Sequence, residues 1–424
     1  MREFDCDLQL HGVYAGGVSR NMLLPVISEQ AKLKGLGVLV TADILHGKWF
    51  EHVKENISEE SNGEFWDREK RVAFIIGTEV EDVNRAHHLI YLPDLERVLE
   101  LREKLLAHGN LDCQMCGRPK LRLNAEAIAE KVEEAKGIIG PAHSFTPYTG
   151  LYAHFDSVKK AYGGMGEKIS FIELGLSADT DLADLIEENQ GYHFLSSSDA
   201  HSPWPNRLGR EFNRIKMKKP AFKELKHALE KREERLVTLN VGLNPKEGKY
   251  HLTACNSCYQ KYSLENAEKL SWKCIACKGE IKKGVRDRIM QLASFPQPRH
   301  PGFRPKYLHF IPLAEIIQIA LEVENVNSVR VQELWKQFVE NFGNEISVLI
   351  DVPAEEIKEF NEKVGKKIEA FKSGWVLYVP GGGGRYGKPV ICDSEKEFER
   401  KQKEMEKELQ SELKMHGQKR LGEF

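Results

Sequence analysis

Residues 1–235 alternate short apolar strands with helical stretches, residues 236–300 carry two Cys-x-x-Cys pairs, and residues 303–424 are dominated by helical patterns. Together these predict an α/β fold: a barrel of about seven strands, then a small zinc-ribbon domain, then a mainly helical C-terminal domain. The expected boundaries are 1–235, 236–300 and 301–424.

In the first block the expected strands are Phe4–Leu10, Gly37–Thr41, Val72–Thr78, His87–Leu92, Gly137–Pro141, Ile169–Leu174 and Phe194–Ser197. Helical patterns at Asn21–Lys34, Asp94–His108, Asn124–Lys136 and Asp181–Gln190 separate several of them, which predicts parallel strands. The run Phe295-Pro-Gln-Pro-Arg-His-Pro-Gly302 reads as a linker. Beyond it, helices are expected at Leu313–Glu324 and Ala354–Phe371. A hairpin is expected around Trp375–Val379 and Gly381–Gly384, and a solvated Glu/Lys-rich helix from Ser394.

Apolar residues make up 41% of the 424, enough for globular cores, and 30% are charged. No apolar run reaches the roughly 18 residues that span a bilayer, and the N-terminus has no apolar signal core. A cytoplasmic protein without a membrane partner is expected. A net charge of −2 excludes a globally basic coat, but Lys269–Lys306 holds ten lysines and arginines against Glu280 and Asp287. Six of the eight cysteines lie in Cys-x-x-Cys pairs, a pattern of metal sites rather than scattered disulfides.

Each expected strand ends beside a metal-ligand type: Gln9 and His11, Asp43 and His46, Glu79, His87 and His88, His143, Glu173, and Asp199 with His201. Strand ends of a parallel α/β barrel converge on one face. A lone histidine there is more often a hydrogen-bonded core or surface residue; the repetition at seven ends is what points to metal. Imidazole with carboxylate suits Zn, Mn or Fe, and a carboxylate shared by two ions is common in hydrolytic sites. Glu79 is the candidate shared ligand. His87 and His88 point to opposite sides of a strand, so one of them is expected to ligate. Glu173 reads equally as a cap or salt-bridge partner.

Cys255, Cys258, Cys274 and Cys277 have the two-knuckle spacing of a structural zinc site. Cys113 and Cys116 read as packing cysteines, an occasional disulfide or a metal pair, and Cys6 and Cys392 as buried thiols. Lys273, Arg286, Arg288, Arg299, Arg304, Tyr307 and Arg385 are candidate DNA contacts, cations for phosphate and an aromatic for stacking. A solvated charged face is the alternative.

Asp7-Leu-Gln-Leu-His11, Asp43 with His46, Glu79, His143 and Asp199-Ala-His201 resemble the motifs of PHP (polymerase and histidinol phosphatase) metallo-phosphoesterases over residues 1–235. Phe171-Ile-Glu-Leu-Gly-Leu-Ser-Ala-Asp179, Ser197-Ser-Asp-Ala-His-Ser-Pro-Trp204, Leu208-Gly-Arg-Glu-Phe212, the four-cysteine module and Arg304-Pro-Lys-Tyr-Leu-His-Phe-Ile-Pro-Leu313 extend the likeness, which is similar to the endonuclease Q family along nearly the whole chain. The resemblance implies a distorted (β/α)7 barrel of PHP type. It also implies an endonuclease cutting DNA 5′ to uracil, hypoxanthine, xanthine or an abasic site. Asp199, Glu79 and His143 are the expected catalytic group. The implied metal ligands are His11, His46, Glu79, His88 or His87, His143, Asp199 and His201. Gln9 stands where the family usually has histidine, and amide oxygen is a poor partner for transition metals. Two or three divalent ions (Zn, Mn or Mg) are expected beside the structural zinc. DNA is the expected partner, with a replication or repair protein as a further candidate. The rival readings are a PHP small-molecule phosphatase and a non-catalytic DNA-binding scaffold.

Overall fold

The computed structural model describes residues 1–60, 63–232 and 234–414. Two compact units form: Met1–Leu243 with Ser294–Pro312 and Val339–Glu345, and Asn244–Ala293 with Leu313–Phe338 and the chain from Ile346 onward. The four-cysteine module thus shares a unit with most of the C-terminal block, and two later segments return to the first unit.

In the first unit, β1 (Arg2–Asp7), β2 (Val38–Val40) and β5 (Ala73–Glu81) pair in parallel. A short hairpin, β3 (Ile57–Glu60) with β4 (Glu64–Asp67), borders β5. Beyond β5 lie β6 (His87–Leu92) and β7 (Ile138–Pro141), each antiparallel to its neighbour. β8 (Phe171–Glu173) and β9 (His193–Leu195) form a parallel pair next to β7. On the other side of β1 come β10 (Phe212–Met217) and β11 (Leu236–Gly242), antiparallel. Asn240 on β11 reaches back to the Phe194 carbonyl of β9 at 2.9 Å, so the strands close on themselves.

The expected all-parallel order fails at β6. Asp82 accepts the N–H groups of Asn84 and Ala86, both at 2.8 Å, which folds a tight turn between β5 and β6. A strand reversed in this way begins where its neighbour ends, so His87 still arrives at the same mouth as Glu79. β10 lies outside the expected strands because Arg214 and Lys216 interrupt its apolar pattern; the Arg214 guanidinium lies on Asp5 of β1 at 2.8 and 3.0 Å. β14 (Lys306–His309) adds to β11 in parallel, within a segment expected in the C-terminal domain.

Helix α1 (Leu24–Lys34) begins with Pro25 in its first turn, where a missing N–H costs nothing, and ends on Gly35 at φ +102. Helices α3 (Leu95–Leu106) and α4 (Ala125–Glu134) follow the expected pattern, capped by Asp94 and Asn124, whereas α2 (Gly47–Asn56) lies outside it.

In the second unit, β12 (Ala254–Cys255) and β13 (Ile281–Lys282) pair beside the cysteines, over a small core of Tyr262, Ala267 and Ile281. The expected 354–371 helix is two, Ala354–Phe360 and Glu362–Lys372, because Asn361 leaves helical geometry to cap the second. The hairpin forms as β15 (Val376–Val379) and β16 (Lys388–Ile391). No helix among the described residues is long and apolar enough to cross a membrane.

Candidate metal centre

Strand ends of the first unit bring two groups of potential ligands together. His11, Asp199 and His201 form one; Glu79, His87 and His143 form the other, each with ligand atoms within 4.8 Å of one another. Glu79 lies between them. Its Oε2 is 3.4 Å from Nε2 of His11, while its Oε1 is 2.7 Å from Nδ1 of His87 and 3.3 Å from Nε2 of His143. Gln9 does not stand as a free ligand: its Nε2 donates to Glu79 Oε2 at 2.7 Å.

Asp43 lies behind His11, with Oδ1 3.0 Å from Nδ1 and Oδ2 accepting the Gly12 N–H at 2.7 Å. This fixes the ring and turns Nε2 toward the cluster, as carboxylates behind metal-binding histidines do. Glu81 stands likewise 3.1 Å behind Nε2 of His87. Neither of these supporting roles is legible in the sequence, where Asp43 and Glu81 carry no distinctive spacing from the ring each one holds.

Burial pushes the Glu79 carboxyl upward, but His11, His143 and His87 outweigh it and hold the group well below the usual carboxylate range. For Asp199 burial is likewise outweighed, chiefly by His11, leaving a pKa of about 2. Burial opposes charge on His11, yet Asp43, Asp199 and Glu79 raise its pKa well above the ordinary imidazole value. The backbone is strained at the same places: φ is +37 at Asp43, +28 at His143 and +47 at Asp199, a region costly for side-chain-bearing residues.

The residues fit divalent cations. Buried His11 Nε2 and Asp199 Oδ1, 3.3 Å apart, have no hydrogen-bond partner among the described residues. Such atoms gathered in one place are expensive unless an ion or water completes them.

Two expected ligands lie elsewhere. His46 caps α2 through Nδ1, stacks on Tyr14, and its Nε2 is 3.1 Å from the Cys113 carbonyl. His88 faces the opposite side of β6 from His87, with Nδ1 2.6 Å from the Tyr162 hydroxyl and Nε2 3.5 Å from Asp82. Glu173 stays behind the cluster, where it accepts backbone N–H groups of His143, Gly175 and Ser197. Cys113 and Cys116 form a disulfide, and Cys6 and Cys392 are buried free thiols.

In the second unit the Sγ atoms of Cys255, Cys258, Cys274 and Cys277 converge within 4.8 Å. Lys273 and Arg385 are exposed, and Arg286 and Arg288 are half-buried. In the first unit Arg299 is exposed over the Phe295 ring and Tyr307 is half-buried on β14. Arg304 is a correction. Its side chain is 1% exposed and fully engaged: two bonds to Asp184 at 2.8 Å and bonds to the Tyr192 and Asn189 carbonyls.

Fold and strand-end groups together define an α/β protein with a candidate metal centre. The MJ0043 C-terminal domain family matches residues 312–374. Uncharacterized protein MJ0043 of Methanocaldococcus jannaschii is 45% identical over 59% of this chain, which spans 32% of that relative's length. Uncharacterized protein YqxK of Bacillus subtilis is 30% identical over 92% of this chain and 99% of its own. The crystal structure of the lesion-specific endonuclease PfuEndoQ from Pyrococcus furiosus matches with a TM-score of 0.87 at 47% identity, covering 92% of this chain and 96% of that one. Endonuclease Q in complex with a 27-mer duplex bearing an abasic lesion matches at 0.86 and 46%, covering 92% and 97%. The chain belongs to the endonuclease Q family.

Proposed function

We propose that this protein is a metal-dependent endonuclease that cuts the DNA phosphodiester 5′ to deaminated bases (uracil, hypoxanthine, xanthine) and to abasic sites. One observation carries the reading: Glu79 turns one oxygen to each of two ligand groups, in a chain 47% identical to a lesion-specific endonuclease. The abasic substrate is supported by the relative bound to such a duplex.

His11, Asp199 and His201 would hold one cation, and His87 and His143 another, with Glu79 shared. The four cysteines would hold a structural zinc, leaving no open position. Divalent cations in such a site lower the pKa of water and offset phosphoryl charge. Imidazole-rich donors favour Zn or Mn over Mg. Asp43 and Glu81 fix the rings of His11 and His87, and Gln9 holds Glu79 in place. Asp199, held ionised beside His11, would bind a cation or serve as the base for the attacking water. Exposed Lys273, Arg299 and Arg385 contribute phosphate contacts, half-buried Arg286 and Arg288 lesser ones, and the Tyr307 ring a stacking contact.

The test is incubation of metal-replete protein with matched duplexes carrying uracil, hypoxanthine, an abasic site or no lesion, with the cut mapped. Cutting 5′ to the lesion, abolished in Asp199→Asn while DNA binding persists, supports the reading. Turnover of phosphomonoesters with no cutting of any lesion duplex defeats it.

A further inference from the structure

Arg118 is a cation in contact with the cluster, and no role above uses it. Its Nη1 lies 3.5 Å from Glu79 Oε1, a long single contact. Five guanidinium N–H donors therefore meet one distant acceptor, and the side chain stays 29% exposed. Arg304 supplies the contrast: there every edge of the fork is taken and 1% remains exposed. A guanidinium meant only to neutralise Glu79 would close on it in the same paired geometry.

The backbone holds Arg118 in place from both sides. The Gly117 N–H donates to the Tyr14 carbonyl at 2.9 Å, and a Cβ on Gly117 would meet Asp43 Oδ2 at 2.7 Å. On the other side the Pro119 carbonyl accepts the Glu81 N–H at 2.9 Å. The loop before it is tied by the Cys113–Cys116 disulfide. A planar fork held at the cluster with unspent donors matches a phosphate, whose paired oxygens it can take two at a time.

We propose that Arg118 grips the nonbridging oxygens of the scissile phosphodiester, an inference that rests on the hydrolytic reading above. Full-length Arg118→Met and Arg118→Lys, compared with wild type on an abasic duplex, test it, with inorganic phosphate as inhibitor and calorimetric probe. The methionine variant is expected to lose about 10²–10³-fold in cutting rate, the scale of one lost charge-stabilising donor group. Its inorganic-phosphate affinity is expected to fall at least about tenfold, with lysine restoring part of both because it keeps the charge without the fork. Metal content and thermal midpoint should match wild type in both variants. Cutting and phosphate affinity within twofold of wild type would overturn the proposal. So would slower cutting with unchanged phosphate affinity, or a parallel loss of metal, which would make Arg118 a counter-charge for Glu79. If wild type itself cuts no lesion duplex, the hydrolytic reading fails, whereas phosphate calorimetry still decides whether Arg118 binds the anion.

Discussion

Glu173 accepts the backbone N–H of His143 at 2.5 Å through one carboxylate oxygen, while its other oxygen takes Gly175 and Ser197 at 3.0 and 3.2 Å. One buried side chain thus ties down two loops that carry site residues in strained conformations. Glu173→Ala would leave three buried N–H groups without acceptors, at roughly 1–3 kcal/mol each. We expect a loss of at least about 3 kcal/mol in denaturant unfolding, with cutting impaired even where the protein stays folded.

His87 and His88 should separate cleanly. His87→Ala is expected to abolish cutting and remove an ion from the cluster, read by elemental analysis. His88→Ala loses the Tyr162 hydrogen bond instead, costing roughly 1–3 kcal/mol of stability while metal content is unchanged. The reverse pattern would refute the placement of these two rings.

Chelation gives a further prediction. Wild type should carry zinc in the cysteine module and two ions at the strand ends. Glu79→Gln, which touches both groups, should lose both of the latter and keep the former. Retention of all three ions would show that Glu79 is not shared.

Arg304→Ala should destabilise the protein by about 1–3 kcal/mol, because it leaves buried Asp184 with His300 as its remaining side-chain partner and strips the Tyr192 and Asn189 carbonyls of a donor. DNA affinity at fixed salt should be unaffected in the folded fraction. Exposed Arg385→Ala should do the opposite, weakening binding and lowering its salt dependence.

In the second unit, burial and Glu315 push the Glu247 carboxyl from 4.5 up to about 8. An acid raised by folding favours its protonated form in the native state. Its contribution is therefore intact below about pH 4.5 and is lost as pH climbs to about 8, at about 1.4 kcal/mol for each pH step of one between those limits. Glu247→Gln should flatten that decline in the thermal midpoint between those pH values; parallel wild-type and variant curves would refute it.

Much of this was legible in residue order, and the failures share a cause. The limits of His87–Leu92 agree with the expected strand, but its direction does not, since apolar periodicity is blind to strand polarity. The ligand-type residues at strand ends are recognisable because chemistry repeats there. His46 bears the same side chain at a similar position, yet its ring is spent on a helix cap and a carbonyl. Arg304 lies in a basic run, but its partner Asp184 is 120 residues away, and no local composition reveals a spent charge. Arg118 is the converse: the first of three alternating cations with Lys120 and Arg122, singled out only by the contacts its neighbours Gly117 and Pro119 make with Tyr14 and Glu81.

The reversed strand has a consequence for how such a site can change. Opposite Glu81 stands His87, and opposite Val80 stands His88. Alternate positions face opposite ways, so one residue gained or lost in the Asp82–Ala86 turn would exchange the two imidazoles without altering any side chain. Which histidine serves this mouth is therefore a matter of odd and even numbering, and the length of a five-residue bend guards the chemistry as firmly as the identity of any ligand.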